Sequence, residues 1–201
     1  MENLYAPPRS TLSRDKPGRI DAQFYVVAPR KLLVLYLGTA GFYILYWFYK
    51  QWTNYKASRP DDESARAIWA IPRAIFSIFF THTLLETVRD SAADKETVAG
   101  WNVPSDGSIL VFLLIVSSIL NRLSRTMDSL PLDLATLLCL LPIAWTLLGI
   151  QKRINAVCGD PSGRSNAGLT GANYPWLALG AVIWLLSVLG LVAGLIRPVV
   201  E

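Results

Sequence analysis

His82 is the only histidine of the chain, and Glu86 follows it by four residues with Arg89 close behind. On a helix this spacing puts His82 and Glu86 on one face, with Arg89 near them. A Ser–His dyad would draw on Ser117 or Ser118, but no Gly-x-Ser-x-Gly surrounds either serine. The plainer reading, which is preferred, makes the three polar residues the end of a helix at a membrane surface. Arg73 is the second candidate. It lies deeper in the same apolar stretch, with Ser77 and Thr81 on its side. Ionisable groups inside a membrane are costly and tend to face partners or water, so Arg73 is a candidate functional residue. "GDPSGRSNAG" (159–168) has the glycines of a phosphate loop but no Gly-Lys-Ser/Thr, and reads as a connector. Cys139 and Cys158 make neither a disulfide framework nor a metal cluster. The expected protein is therefore not an enzyme, with no catalytic residue, metal or cofactor assigned.

The elements that carry these residues are apolar. Uncharged runs occupy 32–49, 107–121, 134–150 and 174–196 of the 201 residues. A bilayer core of about 30 Å takes roughly 20 apolar residues as a helix, which predicts a multi-pass helical membrane protein. Residues 1–31 read as a flexible polar tail and membrane approach, and 32–201 as one transmembrane helical domain. In the first run, Gly38 and Gly41 allow either close helix packing or a break into a re-entrant hairpin; close packing is preferred. "SRPDDESARA" (58–67) is a helix-start signal. The segment 67–88 carries Pro72, which should kink it. It reads as a kinked span or an interfacial helix, the span slightly preferred. The run 107–121 is short and is expected to borrow residues 103–106 or to thin the bilayer. The expected fold is all-α, a transmembrane bundle of about five membrane segments, one of them kinked or partly interfacial.

"GFYILYWFYKQW" (41–52) closes the first run with seven aromatic residues around Lys50. Tyr46, Trp47, Tyr49, Lys50 and Trp52 are expected to anchor it at headgroup level. Gly190 and Gly194 match a small-xxx-small pattern and predict close helix packing, within the chain or between copies. The net charge of +4 is accounted for by Lys and Arg flanking spans, so no nucleic-acid partner is expected. With five spans the basic residues divide eleven against seven, with a cytoplasmic N-terminus; with four they divide nine against nine. The dense positive charge after the first run fits five spans poorly. It would return to the cytoplasm if both of the first two apolar segments were re-entrant.

Gly41, Tyr43, Tyr46, Trp47 and Tyr49, followed by Pro72, Arg73 and His82, resemble a family of small multi-pass bacterial membrane proteins with no assigned activity. The similarity covers residues 24–88, and Gln151, Asn155 and Asn173 extend it into the later part. The resemblance implies an inner-membrane protein. The expected role is non-enzymatic: scaffolding, accessory or sensing work through the lipid bilayer, a membrane-protein partner or a second copy. A small transporter or channel with a polar path near Arg73 is the alternative, and an intramembrane enzyme a distant third.

Overall fold

The computed structural model describes residues 23–196, and helix is the only regular secondary structure among them. The N-terminal tail expected over 1–31 lies mostly outside the described residues. Its end does not: Phe24–Val27 is extended and buried. Pro29 then opens α1 (Pro29–Gly38), where its missing N–H is one the helix would leave unpaired anyway.

The first apolar run is not one helix. Ala40 (φ 49°) and Gly41 (φ 90°) are both left-handed, and they separate α1 from α2 (Tyr43–Ser58). Glycine carries the larger positive φ, where a side chain would be strained. The two helices return on themselves: the Tyr25 N–H, ahead of α1, donates to Gln51 Oε1 on α2 at 2.9 Å. A continuous helix would set those residues about 39 Å apart. The single span expected here is replaced by a hairpin, because two consecutive left-handed residues cannot continue a right-handed helix.

Asp62 caps the short α3 (Glu63–Arg66), accepting from the Ser64 and Ala65 N–H groups, as the acidic helix-start signal predicts. The segment 67–88 is also divided, into α4 (Ala70–Ile75) and α5 (Ser77–Asp90). The break falls at Phe76 (ψ 37°), four residues beyond Pro72. Pro72 sits in the first turn of α4, where no helical partner for its nitrogen exists, so it starts a helix rather than kinking one. This pair too begins and ends beside one place. Lys56 Nζ donates to the Ile68 carbonyl, and Arg59 Nη2 donates to Ser91 Oγ at 3.0 Å.

Among the described residues, three elements are long and apolar enough to cross a membrane: Val103–Met127, Leu130–Val157 and Gly171–Ile196. The first is α6 (Val103–Met127), capped by Asn102 and started by Pro104. It takes in residues 103–106, as expected of the short run, and continues past it. The second is α7 (Leu130–Leu138) with α8 (Leu140–Val157), interrupted at Cys139 three residues before Pro142. The third contains α9 (Tyr174–Ile196). The paired half-helices pack on this frame through α5 on α6 and α1 on α8 and α9, and on each other through α4 on α2.

Candidate functional site

The polar centre of the protein is made of amides. Gln51 reaches in from α2, and Gln151 and Asn155 lie one turn apart on α8, all three fully buried. They grip the extended Phe24–Val27 segment by its main chain. The Tyr25 carbonyl accepts from Gln151 Nε2 (3.0 Å) and Gln51 Nε2 (3.4 Å). The Val27 N–H donates to Asn155 Oδ1, and the Val27 carbonyl accepts from Asn155 Nδ2. An extended segment inside a helical protein has no strand to pair with, and buried backbone groups must be paired somewhere. The side-chain amides stand in for a neighbouring strand. Trp47 Nε1 donates to Gln151 Oε1 at 2.6 Å and closes the network.

That bond settles where the aromatic stretch lies. Trp47 and Trp52 are 0% and 1% exposed. Tyr46 is half-buried within a ring cluster with Tyr25, Tyr43 and Trp176, and Tyr49 adjoins Tyr46. Lys50 is half-exposed. The two tryptophans expected as headgroup anchors are core residues instead: Trp47 is turned to Gln151 of α8, and Trp52 lies under Arg73 of α4.

Arg73 lies in the same aromatic group. Its guanidinium sits 4.3 Å from the Trp52 ring centroid and 5.2 Å from that of Phe80. Both contacts fall within cation–π range. Thr81 is buried and donates to the Ser77 carbonyl on its own helix. The polar residues near Arg73 are thus held by rings and helix carbonyls.

His82 and Glu86 part company. His82 Nε2 lies 3.2 Å from Ser108 Oγ on α6, and its ring rests over Gly107. Glu86 is exposed in a shallow surface depression with Tyr55, Arg59, Thr83, Thr87, Asp90 and Ser91. Arg89 pairs with its neighbour Asp90 at 3.0 Å. The His82–Ser117 or Ser118 dyad is not formed; Ser118 donates to the Leu114 carbonyl.

Gly190 and Gly194 make no close approach within the chain, since a Cβ at either would meet nothing within 4 Å. The tight helix crossing falls at Gly180 instead. A Cβ there would stand 1.9 Å from the Gly38 carbonyl oxygen, where α9 passes the end of α1.

The 158–170 connector is ordered around Asp160. Its carboxylate accepts the Ser165 N–H (2.9 Å), the Arg164 N–H (3.0 Å) and the Ser162 hydroxyl. These bonds, led by that of the Ser165 backbone, hold the carboxyl down at about 2 against the opposing effect of burial. The loop so fixed presents Asn166, which donates to the Val26 carbonyl and accepts from Lys31 Nζ at 2.7 Å. The Gly-rich stretch is a clasp on the extended segment.

Among the described residues no group of His, Cys, Asp and Glu is arranged to hold a metal ion. The chain matches no family model, no curated protein and no solved structure.

Proposed function

We propose a non-enzymatic protein of the bacterial inner membrane, acting through lipid, whose two half-helix hairpins dip into the cytoplasmic leaflet from one side. The carrying observation is that both hairpins close on the C-terminal half of α2. Tyr25 bonds Gln51 there, and Ser91 bonds Arg59. α1 is about 15 Å long, half the hydrocarbon thickness. Phe42 near one tip, and Ile75, Phe76 and Phe79 at the other, expose more than half of their surface. Such apolar tips belong among acyl chains.

Charge supports the orientation. Leaving out Arg73 inside the second hairpin, fifteen of the other eighteen Lys and Arg residues precede Val103 or lie between Lys152 and Arg164. Of the rest, Arg122 and Arg125 fall toward the other face at the end of α6, and Arg197 follows Ile196 in the sequence. With three spans this follows the positive-inside rule far better than five spans do. The resemblance of the aromatic stretch and the Pro72–Arg73 helix to inner-membrane proteins agrees with it. Hairpins that enter one leaflet displace its acyl chains and leave the other leaflet alone, which suits a scaffolding or sensing role at the bilayer. The transporter alternative needs a polar path at Arg73, and Trp52 and Phe80 occupy that place.

The test is thiol labelling from outside intact cells, with Cys139 and Cys158 replaced. Ser58→Cys should be protected and Thr126→Cys labelled. Five spans would expose Ser58→Cys on the labelled side, and that result would overturn the reading.

A further inference from the structure

Hairpins that end at mid-membrane leave space beyond their tips, and the structure has a groove there. It measures about 540 Å³ and runs along α6 beneath the two tips. Ile44 and Leu45 line it from the first hairpin, and Ile75 and Ile78 from the second. Ile115 and Ile119 form its floor on α6, with Arg122 at its far end. The volume lies within the roughly 300–1,000 Å³ typical of small-molecule sites.

The positions along α6 decide what fits. Residues 115, 119 and 122 fall on one face of the helix. Arg122 lies nineteen residues past Val103, about 28 Å along the axis and so one hydrocarbon thickness away. It is exposed. Arg125 follows one turn further, at the same end. The groove therefore runs from the membrane centre, where its walls are mostly apolar with Ser77, Ser117 and Ser118 among them, to headgroup level, where it ends in a cation with a planar donor fork suited to phosphate.

We infer that this groove binds an anionic phospholipid of the leaflet opposite the hairpin openings. Its phosphate bonds Arg122, and an acyl chain lies over Ile119 and Ile115 to the tips at Ile44 and Ile75. The assignment to that leaflet rests on the orientation proposed above; the binding itself does not. A neutral zwitterionic lipid would fill the apolar part equally but gain less from the two arginines.

The experiment uses the full chain purified in non-ionic detergent and mixed with micelles holding equal phosphatidylglycerol and phosphatidylcholine. Lipid retained after gel filtration is measured by mass spectrometry. Phosphatidylglycerol should be enriched at least fivefold over phosphatidylcholine. Arg122→Gln should bring the ratio close to one, while Arg164→Gln, on the opposite face, leaves it unchanged. Ile119→Trp and Ser118→Phe, which fill the groove from an exposed helix face, should each lower total retention. Equal retention of the two lipids by the unaltered chain overturns the inference, as does enrichment that survives Arg122→Gln. Because binding in detergent is blind to orientation, its failure is separate from a failure of the labelling experiment.

Discussion

Gln151 and Asn155 are joined side chain to side chain at 2.7 Å, one turn apart on α8, and each also bonds the main chain of the extended segment. The pair works as one clamp. Asn155→Ala would strand both the N–H and the carbonyl of Val27, and each orphaned buried group costs about 1–3 kcal/mol. Thermal unfolding in detergent should show a loss of about 2 kcal/mol or more for Asn155→Ala, and little for exposed Asn121→Ala. Equal melting of the two variants would mean that the segment is not held by this amide.

Gly180 gives a second test, by geometry alone. Even Ala would force a Cβ into the Gly38 carbonyl, so Gly180→Ala should separate α9 from α1. Overpacking of this kind costs about 1–3 kcal/mol. Gly190→Ala and Gly194→Ala meet open space and should leave monomer stability unchanged. Melting curves of the three variants in detergent decide it. A loss at Gly190 or Gly194 that appears only at high protein concentration would reveal contact between copies.

Arg73 and Phe80 should show coupling in a double-mutant cycle. A cation–π pair of this geometry is worth about 0.5–1 kcal/mol when partly exposed. Arg73→Gln and Phe80→Leu should therefore be less than additive in melting experiments, by that amount. Strict additivity would make the ring contact incidental.

Asp160 predicts a pH dependence. Its folded value, about 2, lies below the ordinary 3.8. Stability from the carboxylate is therefore fully present above about pH 4 and lost as the pH falls through 2. Protease cleavage at Arg164 should be slow at neutral pH in the unaltered chain and faster in Asp160→Asn. By melting, the gap between the two should be constant from pH 7 to about 5 and narrow toward pH 2. A gap that narrows near neutrality would point to another group.

The three long helices were legible because length and lack of charge are enough to predict them. The hairpins were not, and Gly41 shows why. Glycine is common in transmembrane helices and also enables helix breaks, so its presence leaves both readings open. What decides is Gln51, whose partner lies twenty-six residues earlier in the main chain. Local hydropathy carries no trace of that bond. The same holds for Gly190 and Gly194. Their spacing announces a face able to approach a helix closely, but on α9 the neighbour that makes a glycine necessary stands at Gly180. At the site, Arg73 was legible as a cation that needs cover because charge in an apolar run is conspicuous. Half of its aromatic cover, Trp52, came from a helix whose rings read as a surface belt.

Those rings give the last prediction. If Trp47 anchored a span at the headgroups, Trp47→Leu would shift the water boundary along α2 and leave the fold intact. Its burial and its bond to Gln151 argue otherwise. Removing the indole leaves a cavity and strands a glutamine oxygen that would keep only the longer 3.4 Å bond to Gln51. Loss of a buried aromatic side chain costs about 3–5 kcal/mol when cut to Ala, and Leu should recover part of that. Trp47→Phe keeps most of the volume but drops the donor, and should cost about 1–2 kcal/mol. Tyr49, half-buried at the edge of the cluster, should tolerate Tyr49→Leu at under about 1 kcal/mol. Melting in detergent would be read beside cysteine accessibility scanned from residue 53 to 58. The expected result is lost stability at Trp47 with an unmoved boundary. A boundary that shifts by several residues while melting stays the same would return the tryptophan to the membrane surface and sink the core assignment.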